Sequence, residues 1–443
     1  MKTKVEDLSS VKKRLFVEVE PEELEKKMNK VYSELKKKVR LKGFRPGKVP
    51  IKILESRFGD IIKQEIIDNI IEDTFPEAVK QLNTLPLAVP SFEYDKDSLK
   101  RGEPFQYSAI VEVRPEIEVK DYLGIELKKP KIEITEEMIE NELKKIREMY
   151  GEIVPISEQR EIRNGDYVKL NYQAFYKGKP LENLKKEGAL VKVGSRDTHP
   201  LFEAGLVGLK KGDETTISVD FEENYPNPEL AGKNIKFAVQ ILEINEMKLP
   251  ELTDEFVKEK LKLNSVEELK EQIRKRLLEQ EEKKVESELK KKILDYLVDK
   301  VKMEIPESLV EAELENMIEN FKIELRMGGS SIEAFGLSEE KLREDFRPQA
   351  EKKVRQMLIL AKIADNENIE ISDEELDEEI KNIANMTGKE PAELKKLYEE
   401  KNLIGYLRVR LREQKTLNYL LQNAKIIETE IQKENSDANP NSN

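Results

Sequence analysis

The chain contains no cysteine and no tryptophan, and a single histidine, His199, among 443 residues. Without cysteine there is no disulfide framework and no thiolate zinc site, and one imidazole cannot supply the histidine pairs that metal centres use; a reducing compartment suits this composition. No stretch approaches 18 consecutive apolar residues, and the opening MKTKVEDLSS has no apolar run behind its lysines. Neither a membrane span nor a cleaved secretion signal is expected. A phosphate-binding P-loop, the dinucleotide glycine pattern, a nucleophile elbow and HExxH are also missing, so ATP-driven work and hydrolysis have no support, and no cofactor or metal is expected.

What is abundant is charge. Charged residues make up 38% of the chain and hydrophobic ones 38%, with a formal net charge of -13. That is polar for a compact globule and ordinary for an extended, helix-rich protein, and the length calls for two to four domains. The charge is unevenly placed. Residues 1–60 hold 17 basic and 10 acidic side chains, net +7, which leaves -20 for the other 383. Between Lys36 and Arg57 nine Lys or Arg face one acid, Glu55. An acidic body is repelled by nucleic acid, so any phosphate contact must be local to this basic tip and oriented by it.

Inside the tip, residues 43–50 read GFRPGKVP. Gly43 and Gly47 open turn conformations closed to other residues, and Pro46 and Pro50 restrict φ and remove donors, so the string is expected to form a shaped loop between two helices. Phe44, Arg45 and Lys48 would project from it. An exposed ring and two cations suit a surface that is part phosphate and part protein. Charge alone leaves a solvated interhelical loop equally open. The whole string, Gly43, Phe44, Arg45, Pro46, Gly47, Lys48, Val49 and Pro50, resembles the ribosome-docking signature of the trigger factor family, near the chain start as in that family. The resemblance implies a ribosome partner, protein and rRNA at the exit tunnel.

Periodicity divides the chain. Residues 11–20 read as a strand and 21–40 as an amphipathic helix opened by Pro21; helical segments run from Ile51 to Leu82, and FEYD at 92–95 and the alternating 105–113 return to strand period. Residues 1–115 thus form a small α+β domain. In 116–152, Pro130 separates an extended half from a helix beginning near Thr135, which reads as a linker. From 153 to 247 short β segments alternate with glycine turns: YVKLNYQAFYKGKPL as a hairpin, then LVKVGSRD, TTISVDF and a long closing strand, IKFAVQILEINEM.

That order, with PLFEAGLVGL at 200–209 as a short helix and Tyr225–Pro226 in a loop, resembles an FKBP-type prolyl isomerase domain, and trigger factors carry one inserted in their middle. Turning an X-Pro bond means crossing about 18–20 kcal/mol of lost amide resonance, which a dry aromatic pocket lowers without acid or base. The family's pocket positions fall on Tyr172, Phe202, Tyr225 and Phe237, implied as the catalytic residues. Each ring is also suited to plain barrel core. Leu181 and Glu182 stand where the family has an aromatic followed by aspartate, Ala189 replaces another aromatic, and Thr198 and His199 replace an apolar pair. Weak isomerase activity is expected. His199 is read as a loop residue at the pocket mouth.

Residues 248–430 are read as an elongated all-α domain. Ser265-Val-Glu-Glu268 and Ser372-Asp-Glu-Glu375 have the form of capping boxes. Behind the first, apolar residues recur every three or four positions to Val301, interrupted by EQEEKK at 279–284; Pro306 opens a second helix that ends at Gly328–Gly329, and others are expected at 338–366, 372–386 and 391–425. Antiparallel pairs of such helices leave apolar grooves in which Leu314, Met317 and Phe321 are candidates for client binding, and methionines at 303, 317, 327 and 357 make them adaptable. A self-contained bundle with those methionines inside fits the same pattern. Residues 431–443 are a polar tail with no reason to fold.

The fold class expected is therefore α+β multidomain: an N-terminal α+β ribosome-binding domain, an FKBP-like β-rich domain and a helical C-terminal chaperone domain. The resemblance implies a cytoplasmic, ATP-independent chaperone that docks on ribosomes and cradles nascent and unfolded polypeptides, with no membrane partner and room for a homodimer when free. A free-standing prolyl isomerase whose helices recruit substrates, and an RNA-binding module, are the alternatives.

Overall fold

The computed structural model describes residues 1–40, 44, 49–80, 85–157, 160–195, 197–223, 225, 227, 230–328, 331, 332 and 336–429. Its elements in chain order are β1 (Lys2–Asp7), β2 (Lys12–Val19), α1 (Pro21–Lys38), α2 (Ile51–Lys80), β3 (Ser91–Tyr94), β4 (Phe105–Glu112), β5 (Glu126–Pro130), α3 (Glu136–Met149), β6 (Glu152–Pro155), β7 (Tyr167–Tyr176) and β8 (Lys179–Lys192). They continue with α4 (Pro200–Ala204), β9 (Glu214–Asp220), β10 (Asn234–Lys248), α5 (Asp254–Phe256), which runs on as a π turn, α6 (Val266–Lys300), α7 (Glu307–Met327), α8 (Glu339–Asn366), α9 (Asp373–Thr387), α10 (Pro391–Glu400), α11 (Ile404–Gln422) and β11 (Lys425–Thr429). The α+β multidomain class expected from the sequence is what the chain adopts. Leu82, Pro226, Gly329 and the tail 431–443 lie outside the described residues.

Local chemistry explains several boundaries. Thr135 caps α3, its hydroxyl accepting the Met138 amide at 3.3 Å, where the sequence placed a helix start. At Ser372 the capping box is complete: its hydroxyl accepts the Glu375 amide at 3.2 Å and the Glu375 carboxylate accepts the Ser372 amide at 2.9 Å. At Ser265 only one arm forms. Its hydroxyl accepts the Glu268 amide, but the Glu268 carboxylate accepts from the backbone and side chain of Asn264, both at 2.8 Å. The helix expected over 391–425 is two. Asn402 sits in the left-handed region at φ 54°, which ends α10 and restarts the chain as α11. α6 runs unbroken through EQEEKK, with no buried position between Ile273 and Val285.

The chain forms two compact units. The first comprises Met1–Leu127, Lys290–Gly329 and Ser338–Lys425. Its sheet has the order β1-β2-β4-β3, antiparallel throughout. Leu15, Val17 and Val19 of β2 and Phe105, Tyr107, Ala109 and Val111 of β4 share one core with Leu24, Met28 and Val31 of α1 and Ile62, Ile66, Ile67 and Ile70 of α2. β1 has no buried residue, so its sequence carries no inward apolar pattern; it is held by its register with β2 and by the pairs Lys2–Glu18 and Lys13–Asp7, both at 2.9 Å. In the same unit α7 and α8 pack as a pair edged by ion pairs, Arg343–Glu311 at 2.5 Å, Lys322–Glu339 at 2.7 Å and Arg347–Glu307. α9, α10 and α11 close over Leu376, Ile380, Ala384, Leu394 and Leu407.

The second unit is built on Lys128–Leu289. It contains an antiparallel sheet in the order β6-β10-β7-β8, with β9 also paired to β10. The β7–β8 hairpin turns on Lys177 and Gly178, both at positive φ, as the Lys-Gly pair predicts. Ile139 and Leu143 of α3 share a buried cluster with Val257, Leu269 and Ile273, flanked by the pairs Arg274–Glu136 and Arg276–Glu142, each at 2.6 Å.

Candidate functional site

The β-rich sheet brings three of the four expected pocket rings together. In the antiparallel register Phe237 of β10 lies opposite Ala174 of β7 and Ile217 of β9, and Tyr172 lies opposite Val239, which makes Tyr172 and Phe237 diagonal neighbours on one face. Phe202, on α4, completes a triangle: its ring is 5.1 Å from Phe237 and 6.1 Å from Tyr172, and Tyr172 is 6.1 Å from Phe237, all edge to face. Phe202 and Phe237 are buried and Tyr172 half-buried. α4 approaches this closely because residue 205 is glycine; a Cβ there would stand 2.7 Å from Ile217 Cγ2.

Tyr225 packs against the same core through other rings. Its ring lies 4.6 Å from Phe221 and 6.2 Å from His199, and His199 lies 4.8 Å from Phe221. Phe221 was not singled out by sequence reasoning, although Ile217, Val219 and Phe221 continue one alternation into the barrel core. His199 also caps α4, its Nδ1 accepting the Leu201 amide at 3.3 Å. Among the substituted positions, Leu181 pairs across from Ala174 and packs against the core, Ala189 is buried opposite Leu170, and Glu182 is exposed.

Two buried carboxylates lie in this barrel. Asp166 accepts Arg160 at 2.6 and 2.8 Å and the Arg163 amide at 2.8 Å. Burial pushes its carboxyl up, but Arg160 and the amide outweigh this and hold it below the usual value. Glu203 accepts Gly194 and Thr198. Neither carboxylate bonds to a pocket ring among the contacts described. No three acidic or imidazole side chains converge as metal ligands among the described residues. What the rings form is an apolar cluster of edge-to-face contacts.

At the basic tip, α1 ends as Val39 turns extended, and α2 starts with the Pro50 carbonyl accepting the Ile53 and Leu54 amides at 3.0 and 3.3 Å. Across the base the Tyr32 hydroxyl donates to Glu55 at 2.7 Å, with the Arg101 guanidinium 5.5 Å from the Tyr32 ring centre. Burial, then the Glu55 carboxylate, pushes the Tyr32 hydroxyl well above its ordinary value. Phe44 is 40% exposed. Val49, one of the eight residues that the resemblance assigns to ribosome docking, is 1% exposed and belongs to the core. Gly43, Arg45, Pro46, Gly47 and Lys48 lie outside the described residues.

Of the residues expected to hold clients, Leu314 is 1% exposed, because α7 turns it into its own packing with α8. Met317 and Phe321 are half-buried, and Phe321 stands edge-on to Phe346 at 5.6 Å. The open apolar side chains lie elsewhere: Ile323 and Met327 on α7, Met386 on α9, and Leu403, Tyr406 and Val409 at three-residue spacing at the start and along one side of α11.

An antiparallel sheet carrying a cluster of aromatic rings, in a chain otherwise made of long helices and a small α+β domain, fits a multidomain protein with an inserted FKBP-type domain, and its family makes it a chaperone. Residues 1–146 match the family described as bacterial trigger factor protein, residues 265–422 its C-terminus, and residues 158–242 the FKBP-type peptidyl-prolyl cis-trans isomerase family. The trigger factor of Geotalea uraniireducens is 38% identical over 431 residues, covering 97% of this chain and 99% of that protein, and that of Caldicellulosiruptor saccharolyticus is 35% identical over 439 residues, 98% and 99%. A solved structure of the trigger factor chaperone, described for promiscuous substrate recognition in folding and assembly activities, has the same fold over 95% of this chain and 99% of its own, with a TM-score of 0.52 at 23% identity. The chain belongs to the trigger factor family. A free-standing isomerase is not favoured.

Proposed function

We propose that this chaperone docks on the ribosome through residues 43–50 and holds unfolded chains on its helical part, with the isomerase pocket as an accessory of weak activity. The observation that carries docking is the contrast between Phe44 and Val49, an exposed ring and a core residue within one octapeptide. An exposed ring can stack or fill a pocket, and the excess of Lys and Arg in this part of the sequence supplies a salt-sensitive attraction to phosphate. The division into 1–115, 116–152, 153–247 and 248–430 is read as docking, linking, isomerisation and client holding. No membrane span is present among the described helices, and we place the protein in the cytoplasm, free to pair with a second copy when off the ribosome.

For clients, the reading moves from Leu314 to the half-buried Met317 and Phe321 and to the open side chains Ile323 and Met327 on α7 and Leu403, Tyr406 and Val409 on α11. Burying apolar area at roughly 25 cal/mol per Å2 holds many sequences weakly without specific hydrogen bonds. The pocket reading rests on the triangle of Tyr172, Phe202 and Phe237, with Tyr225 packed against the same core; the loss of aromatics at 181 and 189 is why weak activity is proposed. The test is suppression of client aggregation, read by light scattering. Replacing 153–247 by a short flexible linker should leave suppression in place. The pair Tyr406→Glu and Val409→Glu should reduce it while circular dichroism stays helical. Loss of protection in the deletion would instead place client holding in the isomerase domain.

A further inference from the structure

Glu203 follows the floor residue Phe202 directly, and it is 3% exposed inside an apolar barrel. A carboxylate withdrawn from water needs several donors to be tolerated. Here Oε2 accepts the Gly194 amide at 2.7 Å, while Oε1 accepts both the amide and the hydroxyl of Thr198, at 3.1 and 2.9 Å. Gly194 follows the end of β8 at φ 86°, and Thr198 precedes His199, whose carbonyl accepts the Phe202 and Glu203 amides as α4 begins. One side chain thus ties Gly194, just past β8, and Thr198 to α4, next to the ring of Phe202. We propose that Glu203 is a positioning residue for the isomerase pocket, fixing Phe202 against Tyr172 and Phe237 through these bonds. The proposal rests on the reading of those three rings as the isomerase site.

A floor already in place contributes to the twisted amide more than to the ground state, so loosening it should lower kcat and spare KM. Glu203→Gln keeps the size of the side chain but puts an NH2 where an acceptor met a backbone or hydroxyl donor. Asp166→Asn is the matched control, because Asp166 is another buried carboxylate and its described partners, Arg160 and Arg163, lie outside α4 and 194–198. The assay is cis–trans exchange of a proline tetrapeptide, followed by NMR over a range of peptide concentrations with the full-length chain. Hydrogen exchange of residues 197–206 is measured beside it. Glu203→Gln should lower kcat about tenfold with KM within about twofold, as misplaced pocket groups do, and should speed exchange in 197–206. Asp166→Asn should lower the melting temperature yet leave kcat and that exchange unchanged. Equal kcat in wild type and Glu203→Gln overturns the proposal, and so does an equal loss in Asp166→Asn. A wild-type chain with no isomerase activity overturns the pocket reading itself, and the proposal with it.

Discussion

Gly205 offers a test of the pocket's construction in which the sign of the effect should reverse. Its backbone is right-handed helical, φ -69° and ψ -13°, so alanine fits the local conformation. Space is what forbids it. A Cβ at 205 would stand 2.7 Å from Ile217 Cγ2 and 3.0 Å from its Cδ1 and Cγ1. Ile217 is buried and β-branched, stiff at χ1, and lies in β9 opposite Phe237. It cannot swing aside, so α4 must lift from the sheet and carry Phe202 with it. Overpacking of this kind costs about 1–3 kcal/mol, and each kcal/mol lowers the melting point of a domain this size by about 4–8 °C. In an Ile217→Ala background the obstruction is gone. Gly205→Ala should then stabilise by about 0.4–1 kcal/mol, through the unfolded chain. The double-mutant cycle is measured as the calorimetric transition of the β-rich domain in the full-length chain. If Gly205→Ala is as destabilising in the Ile217→Ala background as in the wild type, the close approach of α4 to β9 does not explain the glycine.

The buried Val49 and the exposed Phe44 should separate in denaturant: Val49→Ala should cost about 2 kcal/mol for two lost methyls and the cavity they leave, whereas Phe44→Ala should stay within about 0.5 kcal/mol. Glu413, on α11, has its carboxyl raised above the ordinary 4.5 by burial, with Lys353 opposing and Glu313 adding. A raised carboxyl binds its proton more tightly when folded, so its ionised form burdens the fold above the folded pKa and the burden vanishes below the unfolded one. Glu413→Gln should therefore raise the melting temperature at pH 7 and leave it unchanged below about pH 4, near the unfolded value.

Much of this architecture could be read from the chain because local and tertiary signals agree in it. Pro21, Thr135, Ser338 and Ser372 open helices where turn chemistry says they should, and the long alternation of β10 leaves no other reading. The misses have a common physical cause. Periodicity tells which face of an element is apolar, not what covers it, so Leu314 looked like open groove and proved to be the packing of its own pair. Val49 came into the docking set with the whole octapeptide, and a motif match does not tell which of its side chains enters the core. The four pocket rings share one core, where Tyr225 makes its ring contacts with Phe221 and His199, partners that residue spacing does not reveal. β1 was invisible since an edge strand held by main-chain pairing needs no hydrophobic side. Glu203 is held by two backbone amides and the Thr198 hydroxyl, and residue spacing does not show that these meet it.

The central claim, docking through the octapeptide, is most directly tested by co-sedimentation of the full-length chain with ribosomes. Wild type is compared with the triple variant Phe44→Ala, Arg45→Ala and Lys48→Ala over a salt series, circular dichroism and melting temperature confirming that the variant is folded. Wild type should pellet with ribosomes at low salt and fall away steeply as salt rises, because released counterions drive part of the binding. The triple variant should remain in the supernatant at every salt concentration. Wild-type pelleting by the triple variant would contradict the claim and move the ribosome contact to another surface of the protein.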